Sequence, residues 1–268
     1  MPLHRTCPGH GKLHPLSITN GGFSNMPQRT GARLIEATGV DLRLTDAAWD
    51  FADRHRDEIA ARWARRSAEQ PHYFNGTILL LSAHTLSADG VFHGQLLRTD
   101  FKSFLYWRES GCQEAGVYDT FCTALIRSRE GHVLLCQQRP GNLNEGFSTP
   151  PGGFIDERDV EADGTIDLSQ AVMREISEET GLGAPLLRQG TGFAVLITGH
   201  QVSLAVPWHS EVSGDDLVRE ASVHIAGEAE GELLRTLALS PDDALRTLSL
   251  PDYARALLSA PHLAKTTT

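Results

Sequence analysis

Apolar positions along the chain fall into short runs separated by turn-forming residues. Residues 77–83, 91–98, 120–127, 132–138, 193–198 and 202–206 are strand-length and rich in Val, Ile, Leu and Phe. Two of the breaks are tight-turn signals, Ala88-Asp89-Gly90 and residues 128–131. Shorter runs predict strands at 33–36, 40–44 and 223–226. Helical spacing takes over elsewhere. Asp46 is placed to cap a long helix over 47–68, in which Trp49, Ala52, Ile59 and Trp63 recur at helical intervals before Pro71 ends it. Residues 100–108 form a short helix or an irregular connector, unusually aromatic with Phe101, Phe104, Tyr106 and Trp107. Residues 168–180 predict a helix with Leu168, Val172 and Ile176 on one stripe. Ser240-Pro241 opens a short helix, Ser as cap and Pro at the first position, and residues 252–260 form the last.

This order of elements predicts an α/β fold in three parts: an irregular N-terminal arm over 1–30, a mixed α/β subdomain over 31–112, and a second unit over 113–268. The arm is punctuated by Gly and Pro without periodicity and carries no apolar core of a signal peptide. No run of about 18 apolar residues occurs, so no membrane span is expected.

Charge narrows the chemistry. Against 24 Lys and Arg stand 34 Asp and Glu, a net charge of −10. An acidic chain is a poor partner for nucleic acid through general electrostatics, and its carboxylates suit divalent cations. Four cysteines (Cys7, Cys112, Cys122, Cys136) make neither a CxxC pair nor a disulfide framework, which points to the cytoplasm. His4, Cys7, His10 and His14 are loosely spaced like metal ligands but lie where no scaffold is predicted. No P-loop and no G-x-S-x-G elbow is present.

The most informative segment runs Arg174-Glu175-Ile176-Ser177-Glu178-Glu179-Thr180-Gly181-Leu182. Asp167 caps the helix that carries it, Gln170 follows as in a capping box, and Gly181 suits the left-handed position after its end. Glu175, Glu178 and Glu179 span an arc of about 100° on that helix. Like charges so placed repel, and a hard divalent cation relieves the repulsion. Arg174 stands four residues before Glu178 and can pair with it.

This stretch follows Pro151-Gly152-Gly153-Phe154 and resembles the signature R-E-U-x-E-E-x-G-U of the Nudix hydrolase superfamily at every position. The resemblance implies an α/β/α sandwich over roughly residues 116–250. It implies hydrolysis of the pyrophosphate of a nucleoside diphosphate linked to another group, with Mg²⁺ or Mn²⁺. It also implies Glu175, Glu178 and Glu179 as metal ligands, joined by the backbone carbonyl of Gly152 or Gly153. Glu232, in Glu232-Leu233-Leu234-Arg235, resembles the later acid that serves as ligand or base, with Glu228 and Glu230 as rivals.

One departure stands out. Twenty residues lie between Gly153 and Arg174, where the family pattern has seven fewer. Counting forward from Gly153 puts Asp159 in the slot of the family's first Glu, and counting back from Arg174 puts Ile166 there. Asp156, Asp159 and Asp167 are the candidate replacements, and the inserted loop is acidic.

The N-terminal half is expected to choose the substrate. Pro71, Phe74-Asn75-Gly76, the aromatic connector and the lengthened spacer are similar to the Nudix subfamily that hydrolyses UDP-glucose and UDP-galactose. That resemblance implies UMP and a sugar 1-phosphate as products. Phe74, Tyr106 and Trp107 are candidates to stack on a base, and Arg139 and Lys102 to meet phosphate. Two rivals stand beside this reading: a Nudix hydrolase for ADP-ribose, NADH or coenzyme A, and a Nudix-fold ligand sensor. The expected partner is a small nucleotide, with no nucleic acid or membrane, and a homodimer is left open.

Overall fold

The protein is seen in a computed structural model that describes residues 31–260 apart from 72, 114, 115, 143, 229 and 230. The arm over 1–30, with His4, Cys7, His10 and His14, lies outside these residues.

In the N-terminal half, β1 (Arg33–Ala37) and β2 (Gly39–Leu44) precede α1 (Asp50–Arg54) and α2 (Arg56–Glu69). The antiparallel pair β3 (Thr77–Leu86) and β4 (Val91–Asp100) follows, then α3 (Phe101–Glu109). The second half holds β5 (Asp119–Arg127), β6 (Val133–Gln138), β7 (Ser148–Thr149) and β8 (Thr165–Ile166), then α4 (Leu168–Thr180). Next come β9 (Arg188–Gln189), β10 (Phe193–Thr198) and β11 (Gln201–His209), then α5 (Gly214–Gly227) and β12 (Leu233–Leu239). The described chain ends with α6 (Pro241–Thr247) and α7 (Asp252–Leu258).

The larger sheet runs β1-β10-β11-β5-β6-β12, with β7 added on β6 and β9 on β11; the smaller runs β3-β4-β2-β8. Alternation along β5 sends Cys122, Ala124 and Ile126 to one face and Leu125 to the other. The first face meets Leu168, Val172 and Ile176 of α4 and the smaller sheet. The second is covered by Ala244 of α6 and by Tyr253, Ala254 and Leu257 of α7. The α/β layering expected from the pattern is present.

Strands cross residue 112 in both directions. β1 pairs with β10 over Arg33↔Ile197 to Ala37↔Phe193. β8, from the lengthened spacer, pairs with β2 through Leu42↔Ile166. The lengthened spacer therefore ends in a two-residue strand that joins the N-terminal sheet.

Two expectations are corrected. The helix over 47–68 capped by Asp46 is two helices interrupted at His55, with Trp49 before the first. Trp49 and Phe51 are buried, stacked at 4.9 Å, and Trp49 meets Trp107 edge-on at 5.8 Å. Burying these rings against Leu80, Phe104 and Trp107 outweighs helical continuity. The strand at 223–226 is the end of α5, which buries Leu217 and Ala221, four apart, and leaves Val223 71% exposed. A four-residue apolar run does not separate the two periods, whereas Ser213 accepting the Asp216 N–H marks the helix start.

Candidate active site

Local chemistry places the carboxylate helix. Asp167 accepts the Gln170 N–H at 3.1 Å to begin α4, and Gly181, at φ +68°, ends it. The apolar stripe docks the helix against β5, leaving Glu175, Glu178 and Glu179 at the cleft.

The Gly152–Gly153 turn lies along β5. Cys122 N–H donates to Gly153 O at 3.0 Å, and Ala124 N–H to Pro151 O at 2.7 Å. Gly152 sits at φ +150°, and a Cβ there would come within 2.2 Å of the Cys122 carbonyl oxygen. Only glycine fits so close to another backbone. Its N–H donates to Glu179 Oε2 at 3.0 Å. A Cβ on Gly153 would come within 2.6 Å of Glu175 Oε2, so the bare backbone brings that carboxylate against the turn.

Arg174 organises the cluster. Its Nε and Nη2 donate to both oxygens of Asp159, at 2.9 and 2.8 Å, while Nη1 reaches Glu175 at 2.6 Å and Glu178 at 3.1 Å. Asp159 is buried at the end of a 3₁₀ turn, Glu157–Asp159, whose reciprocal capping with Asp156 fixes it. Of the three candidate replacements, Asp159 is the one that sits against Arg174. Asp167 is spent on the helix cap, and Asp156 pairs with Arg158 at 2.8 Å. Arg158 also reaches Glu178 at 2.9 Å.

The electrostatics are those of crowded acids. Burial pushes the Glu175 carboxyl up to about 7, with Arg174 pulling the other way. Burial likewise holds Glu179 well above the usual carboxylate range, and Glu175, Glu232 and Glu178 add to this. Among the described residues, no three His, Cys, Asp or Glu already stand as a ready metal cage. Glu175 and Glu178 are turned onto arginines instead, and Glu179 onto a backbone N–H. The donors are nonetheless hard oxygens held in one cleft with charge left over, the chemistry a divalent cation neutralises.

The cleft measures about 550 Å³. It joins the Glu helix and the Gly152–Gly153 turn to Glu228 and Glu232 on one side and to Tyr73, Phe74 and Phe101 on the other. Glu230 lies outside the described residues. Phe74 is 82% exposed at its edge. Tyr106 packs instead beside Phe51 and His55, at 6.1 and 5.8 Å, and Trp107 is fully buried; neither lines the cleft. Arg139 also does not line it: its guanidinium donates to Leu233 O at 2.9 Å and Glu228 O at 3.3 Å, fastening the loop before β12. Lys102 pairs with Asp100 at 3.2 Å.

Sequence reasoning missed Arg158, Asp119 and Gln201 as cleft residues. A charge opening an otherwise apolar strand was the available signal for Asp119. Nothing local marks Gln201 or the arginine in the acidic insertion.

The NUDIX domain model matches residues 119–255, half of the chain, and covers the turn, the Glu helix and β12. The chain belongs to the Nudix family. This Nudix protein is a pyrophosphohydrolase of nucleoside diphosphates linked to another moiety, in a family that generally uses divalent metal such as Mg²⁺. Solved structures are similar to part of the chain at low identity. The MutT protein of Methanosarcina mazei Go1 is 23% identical over 53% of this chain and 90% of its own, with a TM-score of 0.36. An Ap4A hydrolase of C. elegans is 18% identical over 52% and 92%, with a TM-score of 0.35. The M. smegmatis Nudix hydrolase RenU is 16% identical over 53% and 84%, with a TM-score of 0.34. Among curated proteins, none matches the chain. No helix of the described residues is long and apolar enough to cross a membrane.

Proposed function

We propose that this Nudix hydrolase cleaves the pyrophosphate of a nucleotide sugar, a UDP-sugar giving UMP and sugar 1-phosphate. The observation that carries the reading is the shared cleft, lined by the carboxylates of the Glu helix together with Phe74 and its aromatic neighbours Tyr73 and Phe101. Asn75, next to Phe74, is tied to the start of α3. Asn75 accepts the Lys102 N–H at 2.8 Å and donates to Asp100 at 3.2 Å, and Asp100 caps α3. The volume falls within the usual range for small-molecule sites.

Glu175, Glu178 and Glu179, with the Gly153 carbonyl, would hold Mg²⁺ or Mn²⁺. Such an ion supplies charge neutralisation at the phosphates and a lower pKa for a bound water. The chain's own groups do the rest. Arg174 holds Glu175 and Glu178 at the cleft while Asp159 keeps its guanidinium in place. Glu232, exposed beside Glu179, takes the proton of the attacking water on a carboxylate oxygen. Phe74 offers an open ring face to the base.

The test is a panel of UDP-glucose, UDP-galactose, ADP-ribose, NADH, coenzyme A and capped RNA with Mg²⁺, products separated by chromatography. UMP and hexose 1-phosphate in equal amounts are expected. Clear turnover of another compound with none of the UDP-sugars overturns the substrate assignment.

A further inference from the structure

The cleft has a second polar end that the metal-binding carboxylates do not use. β5 forms one wall: the Gly152–Gly153 turn lies against Cys122, and Asp119 opens the strand three residues earlier. At strand rise that is about 10 Å away. Phe121, between them, also lines the cleft and meets Tyr253 edge-on at 4.7 Å.

Asp119 is only 5% exposed yet lines the cleft. Its Oδ2 accepts from Gln201 Nε2 at 3.1 Å, and its Oδ1 has no hydrogen-bond partner among the described residues. Gln201 is its register partner on the parallel strand β11 and lines the same cleft. Arg108, from α3, is the third polar member; burial holds the Asp119 carboxyl above the usual range, with Arg108 and Gln201 pulling the other way. A buried carboxyl with one oxygen unsatisfied costs stability unless something pairs with it. The surroundings say what fits: a carboxylate and an amide side by side for paired hydroxyls, with Phe121 and Phe101 as apolar lining for the C–H side of a sugar.

We propose that Asp119, Gln201 and Arg108 form a subsite for a vicinal diol of the substrate, with Asp119 accepting from its hydroxyls. This rests on the nucleotide-sugar reading, which supplies two such diols: the ribose of the nucleoside and the sugar on the far phosphate.

The experiment compares wild type with Asp119→Leu, near-isosteric and without hydrogen-bonding groups. Three substrates are used with Mg²⁺: UDP-glucose, its 2′-deoxyribose analogue, and the methyl ester of UDP. For UDP-glucose, KM rises about 10-fold or more in the variant, the loss expected when one or two hydrogen bonds to a buried carboxyl are removed, while kcat changes far less. The penalty vanishes on the 2′-deoxy analogue if the subsite holds ribose, and on the methyl ester if it holds the hexose. Calorimetry of UDP-glucose binding in EDTA shows the same loss of affinity without turnover. Gln201→Leu, on a half-buried side chain, gives the same pattern at smaller size and covers the case in which Asp119→Leu does not fold. An unchanged KM, or an equal penalty on all three compounds, overturns the subsite. If wild type ignores UDP-sugars but cleaves ADP-ribose, the nucleotide-sugar reading falls on its own, and ADP-ribose against its 2′-deoxy analogue then decides the diol.

Discussion

Asp159 grips Arg174 through both carboxylate oxygens, although fourteen residues, a two-residue strand among them, lie between the two. The spacing between them is seven residues longer than the family pattern, and the pair still seats the arginine against Glu175 and Glu178.

Removing that grip should be costly. Asp159→Ala leaves a largely buried guanidinium short of its main partner, and about 3 kcal/mol of stability is expected to go. Urea unfolding measures it. A change below about 0.5 kcal/mol, typical of a surface substitution, would mean the pair is incidental.

Glu178 is half exposed, so replacing it tests chemistry and not folding. Glu178→Gln should lower kcat by more than about 100-fold, beyond the cost of losing an outer-shell partner. Its melting temperature should stay within about 2 °C of wild type. Retained turnover would remove Glu178 from the metal set.

Burial raises the folded-state pKa of Glu175 to about 7, above its ordinary 4.5. The metal-free folded protein thus binds more protons than the unfolded chain between those values. Its stability from this group is present at low pH and is lost as pH rises toward 7. Glu179 shifts in the same direction. Because Mg²⁺ must displace those protons, the rise in melting temperature on adding Mg²⁺ should grow between about pH 5.5 and 7.5. Thermal scans with Mg²⁺ and with EDTA check this; an equal rise at both ends would refute it.

Gly152→Ala should destabilise by at least about 2 kcal/mol, since both its φ and the Cys122 carbonyl oppose a side chain. Gly131→Ala is the control: its φ is +86° but nothing lies within 4 Å. About 1 kcal/mol is expected there. Equal losses would show that the clash with β5 does not matter.

The carboxylate helix was readable because its signals are short-range. Asp167 and Gly181 act on backbone groups within four residues, and the stripe Leu168, Val172, Ile176 repeats at the helix's own period. The same holds for Ser240 and Pro241 at α6. The strand runs of β3, β4, β5, β6 and β10 were legible from apolar content alone. Periodicity failed where burial in a distant cluster set the backbone, as at Trp49 and Phe51, or where the run was too short, as at 223–226.

Other assignments needed contacts that no window along the chain contains. Asp156, Asp159 and Asp167 are equivalent as letters; the 3₁₀ turn and the docking of α4 bring one of them to Arg174. Arg139 has the composition of a phosphate ligand, and its neighbours turn it to the carbonyls of Leu233 and Glu228. Asp119 and Gln201 meet across 82 residues because β5 and β11 are adjacent and parallel. Hydrogen bonds and periodicity within a few residues are written into local order. Which distant polar groups share a cleft depends on how the strands are paired, and that is settled by burial of the whole core.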